Sequence, residues 1–409
     1  AGAGRRRKRL TIMPGAAIIE GKKEPTVMSG SVFAWPEKGP GGNEEKMDES
    51  KQIAVPRAAE ERPQRIWFLD LLRILATFAI VVLHVSAQGW SDIDVRTTAW
   101  QSLNFWNALS RWGVPVFVMI SGALFLDRDI PVKKLLSKYV LRMATAYIFW
   151  SAVYAGDSVR RGLPLKDGLY RFITGKYHMW FIVMIAGMYL LLPLLRRIAA
   201  DPYLLRYFLV LALVYSVLLP QGLDLLALRS SRWAGALRTV VDHADLFLPM
   251  GYTIYFLLGH LLLHSDLRPR TQRLLCGLGL LGAAVPVAAN GLVAAWQGAA
   301  GGMFYNKSTV NVLLFAVGMF VSFGRVFRQF SPGPRLRRVI AALSKWSFGA
   351  YLVHVMVLEK LQLHFGIVPL AHGWKPIVSV PLISLLIFVL SLAVSAAIGL
   401  IPGLRRYIV

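Results

Sequence analysis

Ten stretches of the chain are long and apolar enough to cross a bilayer, at about 66–88, 103–126, 139–156, 178–195, 204–220, 246–264, 273–290, 309–326, 338–358 and 376–402. No other feature constrains the fold as tightly. A spanning segment needs about 20 mainly apolar residues. In lipid, every backbone N–H and C=O must find its partner inside the protein. The longest gap between stretches is 221–245, too short for a soluble domain. The predicted fold class is therefore all-α: a polytopic integral membrane bundle of about ten transmembrane helices. The seventh stretch, rich in Gly and Ala, fits the pattern least well. Hydrophobic residues make up 56% of the chain and charged residues 17%, against about 25% charge in a soluble protein. This excludes a disordered chain, a coiled coil and a secreted disulfide scaffold. A single cysteine, Cys276, excludes an internal disulfide and a Cys-based metal site.

A net charge of +24 suggests nucleic acid at first. The basic residues, however, lie mostly in short loops between apolar stretches, with no polar basic and aromatic patch, so no nucleic-acid partner is expected. They report topology instead. With the N-terminus cytoplasmic, inner loops and the C-terminal end hold eighteen Lys and Arg, and the longer, more acidic outer loops hold twelve. Both termini are predicted to be cytoplasmic, and the location is predicted to be the inner (plasma) membrane, multi-pass. Trp90, Trp100, Trp106, Trp112 and Trp180 fall near predicted outer interfaces.

Residues 1–65 are polar, rich in Gly and Pro and without apolar period, and read as a disordered cytoplasmic segment. Arg5 to Arg9 is followed by no apolar run, which argues against a signal peptide. Glu44-Glu45-Lys46-Met47 fits a ribosome-binding sequence read as protein. On that reading 1–46 is untranslated and Met47 is the start; the other reading is a genuine tail. The membrane domain is then 66–409.

Charge within a bilayer costs several kcal/mol, so each case calls for a partner or a function. The first span carries Asp70, Arg73, Thr77 and His84. Arg73 and His84 are eleven residues apart, which is about three full turns and places them on one face roughly 16 Å apart. Asp70 precedes Arg73 by three residues and can pair with it. A neutral imidazole can take a proton from an alcohol, so His84 is a candidate general base. The competing reading is a histidine bonded to a neighbouring helix. In the second span, Arg111 lies at a depth comparable to His84 and can hold an anionic or carbonyl oxygen, or snorkel. Ser121-Gly122 there reads as a close-packing element or part of a donor site. Lys138 and Arg142 mark the inner end of the third span, as anchors or as phosphate contacts. His178 and Trp180 open the fourth span on the outside. In the ninth, Lys345 lies inward and Tyr351 and His354 outward, with Glu359 in the loop beyond. There is no Walker A sequence, no G-x-S-x-G and no H-E-x-x-H, and no metal is expected.

Five segments, in order, resemble the acyltransferase-3 family of membrane acyltransferases. WFLDLLRILATFAIVVLHV carries the family's spacing of Arg, ten residues, then His. GVPVFVMISGALFL resembles its second helix, and KKLLSKYVLRMATAYIFW the basic start of its third. KYHMWFIVMIAGMYLLLPLL resembles its His/Trp-Phe helix. SKWSFGAYLVHVMVLEK resembles its late Ser-x-Gly-x-Tyr-Leu-x-His helix. The segments cover most of 65–405, and the branch they look most like O-acetylates enterobacterial common antigen and related surface glycans. One departure stands out: where the family often carries Arg-x-x-Arg, Tyr139 precedes Arg142. Lys138 replaces the charge but not the bidentate fork.

The resemblance implies an O-acyltransferase that moves an acyl group, most often acetyl from acetyl-CoA, to a sugar hydroxyl of a glycan or lipid-linked precursor. His84 would be the base, with Arg73, Asp70 and Arg111 catalytic. Arg142, Lys138, Lys345 and Ser121 would face the acyl-CoA, and His178, Trp180, Tyr351 and His354 the acceptor. Membrane lipids complete the expected partners; the oligomeric state is left open. The alternative is a multi-pass transporter or flippase, which ten spans and intramembrane charges suit equally. The absence of clear inverted repeats and broken helices in matching halves weighs against it.

Overall fold

The computed structural model describes residues 65–243 and 251–403, without the side chain of His372. The expectations for 1–64, including the start at Met47, and for 404–409 lie outside the described residues. Among the described residues the regular structure is entirely helical. We number the helices α1 Trp67–Ser86, α2 Thr98–Ser110, α3 Gly113–Phe125, α4 Leu141–Arg160, α5 Leu165–Thr174, α6 Trp180–Ala200, α7 Pro202–Leu213, α8 Leu219–Arg229, α9 Ser231–Asp242, α10 Thr253–His264, α11 Pro269–Gln297, α12 Val310–Phe327, α13 Pro334–Phe365 and α14 Pro376–Ile398.

Eight helical segments are long and apolar enough to cross a membrane, and each coincides with a predicted span. The other two predicted spans correspond to α4, which carries several polar residues, and to α10, an apolar helix of 12 residues. The chain is thus an all-α polytopic membrane protein. The weakest predicted span is α11, 29 residues long. Residues 221–242 of the gap are formed by the end of α8 and by α9, whose start is capped by Ser230.

Small residues set the helix spacing, since lipid gives apolar helices little reason to associate other than close contact. A Cβ on Gly122 of α3 would lie 1.8 Å from the Phe256 carbonyl oxygen, and one on Gly259 of α10 would lie 1.9 Å from the Met119 oxygen. Helices α3 and α10 therefore touch backbone to backbone. Gly279 and Gly318 do the same for α11 and α12. Gly113 lets the start of α3 approach α1, its Cβ position being 3.0 Å from the Ala76 oxygen.

The break between α2 and α3 also follows from sequence. Pro115 has no N–H for the carbonyl of Arg111, and its ring crowds that carbonyl. The chain turns at Arg111-Trp112 and resumes at Gly113. Arg111 thereby sits at a helix junction close to α1. Trp100 and Trp112, expected at an interface, are instead core residues, 0% and 5% exposed. The Trp100 indole N–H is taken by the Trp90 carbonyl at 2.9 Å. Glu359, expected in a loop, belongs to the last turns of α13 and pairs with Arg161 and Lys176.

Candidate active site

Helices α1 and α13 run side by side in the same direction. Asp70 and Arg73 of α1 meet Ser344 of α13, and His84 of α1 meets His354 of α13. The spacing is eleven residues on α1, from Arg73 to His84, and ten on α13, from Ser344 to His354. Two helices rising about 1.5 Å per residue keep such pairs in step. The bundle therefore holds two polar clusters at two depths.

In the first cluster Asp70 organises the cations. Its Oδ2 accepts from Arg65 Nε at 2.5 Å and its Oδ1 from Ser344 Oγ at 2.5 Å, while Arg73 stands 3.9 Å away and donates to Ser344 Oγ at 3.4 Å. The Asp70 side chain is only 10% exposed, and a carboxylate so placed needs these donors to offset its desolvation. Thr77, on the same face, donates to the Arg73 carbonyl at 2.9 Å. Tyr189 of α6 is buried nearby, its ring 4.9 Å from that of Phe125. Tyr139, the departure from the Arg-x-x-Arg pattern, puts its ring 5.1 Å from Phe125 and 6.0 Å from Tyr189. It fills an aromatic wall where a second guanidinium would stand.

Beside this cluster opens a cavity of about 660 Å³, lined in part by Arg65, Trp67, His264, Arg328 and Arg337. Arg65 lies 5.1 Å and Arg337 6.0 Å from the centre of the Trp67 ring. Sequence reasoning overlooked Arg65, Arg328, Arg337 and Ser344, because loop cations look alike until helices bring them together.

The second cluster is a trio of imidazoles. His84 lies 5.1 Å from His354 and 6.4 Å from His178, and those two lie 5.1 Å apart, centre to centre. His354 and His178 are 0% and 1% exposed. Backbone carbonyls fix both rings. His354 donates from Nδ1 to Tyr351 O at 2.5 Å, and His178 from Nε2 to Leu352 O at 3.2 Å. A carbonyl only accepts, so the other nitrogen of each ring, His354 Nε2 and His178 Nδ1, carries a buried lone pair with no hydrogen bond. Tyr351 closes the loop by donating to the His178 carbonyl. Tyr154, from α4, donates to Leu352 O at 2.8 Å, and the Tyr177 ring stands 5.3 Å from His84. An ion network caps this end: Asp157 with Lys360 at 2.6 Å and Arg161 at 2.8 Å, and Glu359 with Arg161 at 3.3 Å.

Arg111 lies at the junction of α2 and α3. Asn107, one turn earlier, accepts from Arg111 Nε at 2.8 Å, and the guanidinium lies 4.1 Å over the Tyr305 ring. Arg111 also lines a second cavity, of about 490 Å³, with Trp90, Trp180, Tyr252, Tyr305 and Lys307. Trp180 stacks on Tyr252 there at 5.5 Å.

The structure thus brings together Asp70 with Arg73, His84 with His178, His354 and Tyr351, and Arg111 with Trp180. It does not bring in all the residues singled out in the sequence. Lys345 is exposed and makes no hydrogen bond or ion pair among the described residues. It follows Ser344 by about 100° around α13 and so faces away from Asp70. Lys138 is exposed, over the ring of its neighbour Tyr139, whereas Arg142 is turned to Phe348 of α13 at 5.5 Å. The Ser121 hydroxyl donates to its own helix, to Phe117 O at 3.0 Å. Ser121-Gly122 serves helix contact.

The fold is that of an all-α integral membrane protein, and its first helix carries one residue of an imidazole cluster and one of a cluster of guanidinium groups. The family description "Acyltransferase domain" of the acyltransferase-3 family matches residues 66–399, nearly all of the described bundle. The chain belongs to that family and is a membrane acyltransferase. Comparison with curated proteins and with solved structures returns no match.

Proposed function

We propose that this acyltransferase moves an acetyl group, or another acyl group carried on CoA, to a hydroxyl of a cell-surface glycan or its lipid-linked precursor. One observation carries the reading. Arg73 and His84 lie on one face of α1, each inside its own polar cluster, Arg73 among groups that bond Ser344 and Asp70 and His84 among imidazoles.

The cavity beside Arg65, Arg328 and Arg337 suits the phosphates of CoA, since guanidinium groups bind phosphate through paired donors. The Asp70–Ser344–Arg73 network orients the cation that continues that path inward, and Arg142 adds charge at the same depth. The aromatic cavity around Trp180 suits the flat, partly apolar faces of a sugar. His84 takes the proton of the acceptor hydroxyl as its oxygen attacks the thioester carbonyl carbon. The carbonyl π electrons move to oxygen, where Arg111 stabilises the developing charge. The C–S bond then breaks, the ester forms, and the CoA thiolate takes up the proton from the His84 imidazolium. The fixed lone pairs of His178 and His354 give the acceptor hydroxyl or the His84 N–H a partner before attack.

Arg111→Gln is expected to lower kcat by about 10²–10³-fold with little change in KM for acyl-CoA, as loss of an oxyanion donor does. A rise in KM alone would move Arg111 from the chemistry to binding. With both termini cytoplasmic, acyl-CoA reaches its cavity from the cytoplasm. Vesicles that enclose the acceptor and expose the cytoplasmic face should release thiol from added acetyl-CoA. Release only from vesicles of the opposite orientation would overturn this sidedness.

A further inference from the structure

A third cluster belongs to neither of the two above. Asp127 lies two residues beyond the end of α3, and His260 and His264 occupy the last two turns of α10. His260 Nδ1 stands 3.3 Å from Asp127 Oδ1, and His264 Nε2 stands 3.2 Å from Asp127 Oδ2. The two imidazoles are 4.6 Å apart, centre to centre. A potential ligand atom from each of the three residues lies within 4.8 Å of the others.

A hydrogen bond specifies which electrons His264 turns to the gap. His264 Nδ1 donates to the His260 carbonyl at 2.9 Å. In the neutral ring this leaves Nε2 as a lone pair, pointed at a carboxylate oxygen. His260 Nδ1 is buried and has no hydrogen-bond partner, though a carboxylate oxygen is 3.3 Å away. A lone pair set against a carboxylate oxygen repels it unless a positive charge lies between them. Atoms bound at about 2.0–2.1 Å to a tetrahedral metal stand about 3.3 Å from each other, and each imidazole nitrogen stands at that spacing from one oxygen of Asp127. A ligating histidine commonly donates its other N–H to a backbone carbonyl, as His264 does.

We infer that Asp127, His260 and His264 form a binding site for a first-row divalent cation, with Zn²⁺ the best match to two imidazoles and a carboxylate. The side chains of Asp127 and His264 are 45% and 48% exposed, which leaves a fourth position open to water. The cation would tie the end of α10 to the end of α3, the pair of helices already joined through Gly122 and Gly259. The site lies at the Arg73 end of the bundle, since His264 also lines the cavity with Arg65 and Arg328. Its existence does not depend on the proposed reaction.

The test uses the full chain, purified in detergent without a histidine tag and titrated with Co²⁺ and then Zn²⁺. One equivalent of Co²⁺ should give the intense visible ligand-field bands of a tetrahedral or five-coordinate site, and Zn²⁺ should displace it. His264→Gln, a change at a half-exposed side chain, and Asp127→Asn should each weaken Zn²⁺ binding more than about tenfold. His364→Gln, at the end of α13, should leave it unchanged. Two results would overturn the inference: no stoichiometric Co²⁺ spectrum from the wild-type chain, or equal Zn²⁺ affinity in His264→Gln. The first needs no variant. It would mean that the imidazoles meet Asp127 as protonated ion pairs.

Discussion

Replacing His84 by alanine should lower acyl transfer by about 10²–10⁴-fold, the range for loss of a positioned general base, while the bundle stays folded. The His84 ring makes no hydrogen bond among the described residues, and its neighbours are other rings, those of Tyr177, His178 and His354. Its removal therefore leaves no donor or acceptor newly orphaned, and the lone pairs of His178 and His354 are already unpartnered. Thiol release from acetyl-CoA, measured beside a thermal melt of the same preparation, separates chemistry from folding. Equal release by both chains would make His84 structural. A collapse of the melt would give it a packing role that the ring contacts do not suggest. Substitution of His354 or His178 should differ in kind. Each anchors a backbone carbonyl of the opposite helix or its own turn, so some loss of stability should accompany loss of rate.

The largest structural effect is expected at Gly122. A Cβ there would be 1.8 Å from a backbone oxygen of α10, and no side-chain rotation relieves a clash with backbone. Gly122→Val should destabilise the protein by about 3 kcal/mol or more, at or beyond the upper end for overpacking. The expected readout is loss of the monodisperse peak in detergent. Gly187→Ala is the matched control, because nothing lies within 4 Å of its added Cβ. A Gly122→Val chain as stable as wild type would mean that α3 and α10 do not cross in backbone contact.

Much of the fold was legible because hydrophobic length reports directly on spanning helices. Eight of ten predicted spans coincide with helices of sufficient length and hydropathy. The predicted span 246–264 begins outside the described residues, and α10 forms its last twelve residues. The face shared by Arg73 and His84 was legible for the same kind of reason: helical periodicity is local, and eleven residues close three turns whatever surrounds them. What was not legible depends on pairs distant in sequence. Ser344 lies 274 residues from Asp70, and Tyr154 lies 198 residues from the Leu352 carbonyl it holds. Nothing in a single helix shows such pairs. Lys345 illustrates the limit from the other side. It stands beside Ser344 in sequence, yet one residue of helical rotation takes it out of the cluster. The histidines of α10 went unnoticed as a pair because their third partner, Asp127, comes from a loop more than 130 residues earlier.

The central claim is that this membrane acyltransferase draws its acyl group from CoA and places it on a sugar hydroxyl. The most direct measurement supplies purified chain in proteoliposomes with acetyl-CoA labelled in the acetyl group, together with a lipid-linked glycan extract. The label should appear in the glycan fraction as an alkali-labile ester, in proportion to thiol released. Label that crosses into the vesicle lumen without forming an ester, at the same rate with His84→Ala, would contradict the account and favour transport instead.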